Sequence, residues 1–220
     1  MSGKRVLSHA ALGESIMLGL LPLLGVLAVN AIPLVGVLWF GWSVFEVLLL
    51  YWFENVAIGV THATRMAIST RTNKVADGRS TTTFFALHYG LFTFVHGIFV
   101  IVFFGVVGGG LTQLTGGLIG PALAIIGWQI AFLFIEAVQT DYFKERTPND
   151  LMFEPYPRVL ALHITVIAGG WLISEVGAPV WALAILVGVK TLCDLAVAAF
   201  FSVRRENAVA ALSALRKRQG

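Results

Sequence analysis

The sequence predicts an all-α bundle of membrane-spanning helices, and three observations predict it. Apolar residues make up 57% of the 220 positions and charged residues only 12%, against roughly 25% charged in an ordinary soluble domain. Several apolar stretches reach the ~20 residues needed to cross a hydrocarbon core. The basic residues fall in alternate connections between those stretches, as they do in polytopic membrane proteins.

Hydropathy places six spans at about residues 14–40, 43–69, 82–106, 119–141, 157–176 and 178–202. The first contains Pro22 and Pro33 and is expected to be kinked or broken, a defect that neighbouring helices can satisfy. The second runs through YWFENVAIGVTHATR at 51–65, and the third is rich in phenylalanine. Before the fourth lies a glycine-rich loop, 105–117, without the GxGxxG spacing or the lysine of a nucleotide site. The fifth is entered through Tyr156, Pro157 and Arg158, with Pro157 suited to a first helical turn.

Charge fixes the orientation. Lys4 and Arg5 precede span one; Arg65, Arg71, Lys74 and Arg79 bracket the second connection. Lys144, Arg146 and Arg158 mark the fourth, and Arg204, Arg205, Arg216, Lys217 and Arg218 follow the last span. All of the 15 basic residues except Lys190 thus share one side, which the positive-inside rule makes cytoplasmic. Both termini are expected there, so the number of spans is even, and the protein is expected to be multi-pass in the cell membrane. The apolar run after Arg5 continues to about residue 40, too far for a secretory signal, and is kept as a helix. Residues 1–203 form one bundle domain. Residues 204–220 form a basic, amphipathic cytoplasmic tail suited to an anionic membrane surface. Trp39, Trp42, Trp171 and Trp181 fall near the outer interface.

Other classes are excluded. Cys193 is the single cysteine, which rules out internal disulfides and multi-cysteine zinc sites. The net charge of +3 is scattered over short loops and the tail, so no nucleic-acid partner is expected. The partners expected are the lipid bilayer and a small-molecule or lipid-like substrate.

The intramembrane polar residues sort by depth into two tiers, with a helical rise of about 1.5 Å per residue. His62, His88, His163 and Asp194 lie roughly 9 to 12 Å from the cytoplasmic ends of their helices, and Glu136 slightly shallower. Glu54, Lys190 and His96 lie roughly 18 to 22 Å deep. An unpaired charge in lipid costs about 3 kcal/mol by insertion scales, so these groups are expected to face one another inside the bundle. His88 and His96 diverge by about 80° around their helix and can line one broad interior face about 12 Å long. Plainer readings stand beside this. Lys190 and Asp194, at i and i+4, can neutralise each other; His62 can simply reach the interface; either His88 or His96 alone can be a packing hydrogen-bonder. Glu136 is expected to be hydrated. Glu54 is the hardest to dismiss, since no basic residue on its own helix lies within one turn.

The motifs YWFEN at 51–55, HYG at 88–90, HG at 96–97, PYPRVLALH at 155–163 and KTLCD at 190–194 resemble a family of uncharacterised prokaryotic membrane proteins. The likeness spans roughly residues 20–200 and implies that Glu54, His88, His96, Arg158, His163, Lys190 and Asp194 belong to a family pattern. It implies no activity. Phe84–His88 and Phe92–His96 both read FxxxH, an element of intramembrane prenyl-protein proteases. The rest of that pattern is missing: Asn55 follows Glu54 and Gly59 stands at the arginine position, so the match is assigned to a phenylalanine-rich helix.

Three functions are open on these residues. A metal or haem site would draw on Glu54, His88, His96, His163 and Asp194. His88 and His163 with Asp194 nearby would form an inner set, or the axial pair of a haem, and Glu54 with His96 an outer one. Zinc, iron, copper or haem there would serve redox or hydrolytic chemistry on a small or lipid-like substrate, with Glu54, Lys190 and Arg158 as candidate catalytic groups. A proton-coupled transporter or channel would use Glu54, His96 and Lys190 as a relay. A scaffold or complex subunit would use the same charges only to fix helix register.

Overall fold

The computed structural model describes residues 9–138, 142–144, 146–160, 162–164, 185, 187–196 and 199. Those residues contain helices and turns and no strand. The elements are α1 (His9–Phe40), α2 (Val44–Asn73), α3 (Gly78–Phe99), α4 (Ile119–Val138) and the short α5 (Pro148–Met152). A π-helical stretch, Val100–Val107, continues α3, and a 3-10 turn follows at Gly110–Gln113. Residues 156–160, 162–164 and 187–196 are also helical. Three helices among the described residues are long and apolar enough to cross a membrane: Val44–Asn73, Gly78–Val107 and Ile119–Val138. The chain is a helical membrane protein. Most of the last two predicted spans, Trp171, Trp181 and the tail lie outside the described residues.

Local chemistry explains the element boundaries. α1 runs unbroken through Pro22 and Pro33, contrary to the expected break, because a proline removes one internal hydrogen bond without forbidding helical φ. It stops at Gly41, whose φ of +65° is open to glycine at little cost. Only three residues then separate α1 from α2, and Trp42 folds back so that its N–H donates to the Gly36 carbonyl at 3.0 Å. Its ring lies on Gly36, where a side chain would collide. Trp42 is therefore buried and Trp39 exposed, which separates two residues expected to share one interface.

At the start of α2, Ser43 and Glu46 form a reciprocal capping box. Glu46 is fully buried. Its Oε2 accepts from the Ser43 N–H at 2.9 Å, and its Oε1 accepts from both the N–H and the hydroxyl of Thr115 at 2.7 Å. One carboxylate thus caps a helix and fastens the glycine-rich loop to it. Glu46→Ala is expected to cost about 2 to 4 kcal/mol, through the lost cap and the orphaned Thr115 N–H. Thermal unfolding in detergent measures the loss, and faster protease cleavage within 108–118 locates it.

α2 is the hub: α1, α3, α4, α5 and the π-helical stretch all pack on it. Lipid tails are as apolar as leucine, so close packing and hydrogen bonds, rather than water exclusion, hold such helices together. The α2–α3 seam uses both. A Cβ on Gly97 would come within 2.7 Å of the Trp52 indole, and the space beside Gly59 is filled by Tyr89. Trp52 Nε1–H donates to the Thr93 carbonyl at 2.8 Å and the Tyr89 hydroxyl to the Asn55 carbonyl at 3.2 Å. These contacts set the rotation of α2 and α3, and so decide which polar residues face inward.

Candidate functional site

Lys190 lies at the centre of the deepest polar group. Its ammonium stands 2.8 Å from Glu54 Oε2 on α2 and 2.8 Å from Asp194 Oδ2 one turn along its own helix. It also donates to Asn30 Oδ1 of α1 at 3.1 Å, while Asn30 Nδ2 donates to Asp194 Oδ2 at 3.0 Å. The Asn30 amide therefore presents its oxygen to the cation and its nitrogen to the anion. The Tyr51 ring lies 4.6 Å from the ammonium, a cation–π contact. Asn30, Tyr51, Glu54, Lys190 and Asp194 are all buried. Two carboxylates face one ammonium, which leaves one formal negative charge. Such a group can hold a proton or cation, or exchange one.

A second polar pair lies between α3 and the helix at 162–164. His96 Nδ1 faces the Phe92 carbonyl at 3.1 Å, so that nitrogen carries the hydrogen. The Nε2 lone pair of His96 points at Nδ1 of His163, with the two rings perpendicular and their centroids 4.1 Å apart. Phe92 packs on both imidazoles. An imidazole pair of this kind can pass a proton, or hold a cation between its nitrogens.

The other sequence candidates are placed elsewhere. His88 is exposed on α3, stacked on Phe84 and tilted against Tyr156. The eight-residue offset from His96 carries it off the interior face, so the two histidines do not line one wall. His163 meets His96 rather than His88, and Asp194 meets Lys190. Among the described residues no group of three or more His, Cys, Asp or Glu is placed to hold a metal ion. The set Glu54, His88, His96, His163 and Asp194 is thus divided among three places. The depth tiers are crossed as well, because a lysine stem reaches along its helix and ring nitrogens lie well away from their own Cα atoms. Both FxxxH repeats bring rings together at i and i+4, so packing accounts for them.

Arg158 is half-buried and makes no side-chain hydrogen bond or ion pair among the described residues. Its charge nevertheless acts on Asp194 and on Tyr89.

His62 and Glu136 have structural partners. His62 Nε2–H donates to the Leu151 carbonyl at 2.6 Å and its ring packs on Phe85, which docks α5 onto α2 and α3. Glu136 is buried rather than hydrated, because Arg65 on the facing helix reaches it at 2.5 Å. Ser69 and Asn73 donate to the carbonyls of Arg146 and Phe143, and Arg146 pairs with Glu154. Burial pushes the Glu154 carboxyl above the usual carboxylate range, against the pull of the Arg146 guanidinium.

Sequence reasoning missed Asn30, Tyr51, Glu46 and the Arg65–Glu136 pair. Asn30 carried a signal, as an amide inside an apolar span. Tyr51 carried none beyond its place next to WFEN.

The model of a family described as a family of unknown function (DUF6498) matches residues 14–214. No curated protein and no solved structure matches the chain.

Proposed function

We propose, for a chain that belongs to the family of unknown function (DUF6498), a role in moving protons, alone or coupled to a small solute, across the cytoplasmic membrane. The supporting observation is the Glu54–Lys190–Asp194 cluster, a buried ammonium shared by carboxylates from two helices with one negative charge in excess. Buried ionisable groups are costly in a membrane and cluster on ion and proton pathways. Six crossings with both termini inside complete the reading, supported by the distribution of basic residues. His96 enters through its contact with His163, as a second proton-handling pair.

Protein reconstituted in vesicles with an internal pH-sensitive dye is expected to dissipate an imposed pH gradient. Glu54→Gln is expected to slow that flux by tenfold or more. Flux unchanged in Glu54→Gln rejects the role.

A second reading, a metal or haem centre for redox or hydrolytic chemistry, is favoured by one observation, the fixed tautomer that turns His96 Nε2 toward His163. Elemental analysis and an absorption spectrum of the purified protein test it. Stoichiometric metal or a haem band that is lost in His163→Ala supports it, and their absence rejects it.

A further inference from the structure

We infer that the buried cluster binds one monovalent alkali cation through Glu54 Oε1, Asp194 Oδ1 and the Tyr51 hydroxyl, with Lys190 as a built-in competitor. The inference rests on the preceding reading of this cluster and names the ligand class it takes.

Three observations carry it. Each carboxylate engages its partners through one oxygen only: Lys190 meets Glu54 Oε2 and Asp194 Oδ2, and Asn30 meets the same Oδ2. The second oxygen of each has no hydrogen bond or ion pair among the described residues. Next, the Tyr51 hydroxyl is a buried side-chain polar atom with no hydrogen-bond partner among the described residues, on a residue only 2% exposed. Native proteins rarely leave such an atom unsatisfied, and an unseen ion or water is a usual reason when they do. This tyrosine is itself part of the cluster, with its ring under the ammonium.

The third observation is charge. One excess negative charge matches one positive charge, and a divalent ion would leave the buried site positive. The donor set is all oxygen, which suits a hard cation and not a soft transition metal. Arg158 does not fill the role, since it contacts none of these oxygens and its half-exposed charge is partly screened. When a cation enters, the carboxylates divide their charge between it and Lys190, and loss of the cation returns both to the ammonium. A proton on Glu54 would compete for the same place.

The test uses full-length protein in detergent at pH 8, with NaCl or KCl exchanged for choline chloride at constant ionic strength. A ligand that binds only the folded state raises the melting temperature in a saturable way. Sodium or potassium is expected to do so in the wild type. Tyr51→Phe keeps the ring beneath Lys190 and is expected to stay folded, with the half-saturating cation concentration raised at least tenfold. Asp194→Asn is expected to remove the response. Equal melting in all three salts overturns the inference, as does a cation response that survives both substitutions or one produced only by Mg2+ or Ca2+. Proton flux without any alkali response rejects this site and leaves the proposed function standing. An alkali response without flux keeps the site and rejects that function.

Discussion

Lys190→Met is expected to lower the stability of the folded protein by about 3 to 5 kcal/mol, the usual cost of removing one member of a buried ion pair. The large effect comes from what remains. Glu54 and Asp194 would face each other without their shared counter-charge, and Asn30 Oδ1 would lose the donor that orients its amide. Methionine keeps most of the stem volume, so packing changes little. The triple variant Lys190→Met, Glu54→Gln, Asp194→Asn should recover more than half of the loss, since no net charge is then left buried. Thermal unfolding in detergent reads both. A Lys190→Met protein that melts with the wild type would show that the three charged groups do not share one dry site.

Arg65→Met should cost nearly as much, about 3 kcal/mol, for the same reason at a different place. Arg65 Nε and Glu136 Oε2 meet at 2.5 Å, with only 10% and 11% of their side chains exposed. The double variant Arg65→Met, Glu136→Leu should return close to wild-type stability, because apolar pairs often replace buried ion pairs at no cost. The cycle isolates the contact: additive losses in the double variant would mean that the side chains do not meet. Proton flux should persist in the double variant, which separates this structural pair from the Glu54 cluster.

These two pairs also show what a linear sequence discloses. Glu54 is legible as a candidate site because it lies in a largely apolar run and no basic residue on its own helix lies within one turn. The Lys190–Asp194 pair was visible from its spacing of four. The partner of Glu54 was not visible, because depth along a helix says nothing of rotation about it. Rotation here is fixed by Trp52 against Gly97 and Tyr89 against Gly59, contacts between residues remote in sequence. The same blindness put His88 on an interior face. Arg65 lies inside the span at 43–69 but near its cytoplasmic end, so it counts with the basic residues that bracket the connection. Only the packing of α2 on α4 shows that it reaches Glu136. Ser43 and Glu46 have the spacing of a capping box, but they adjoin a long apolar run and the hydropathy window hides them. Thr115, the other half of that clamp, has no local signature at all.

The Asn30 amide has a mechanical consequence. It grips a cation and an anion that belong to a segment 160 and 164 positions further along the chain. An amide cannot turn over without offering oxygen to carboxylate and nitrogen to ammonium, so it tolerates only one arrangement of the two. Any event that swings Lys190 away must either drag α1 with it or let go, and the opening helix of the chain becomes a gauge of the charge state at the other end.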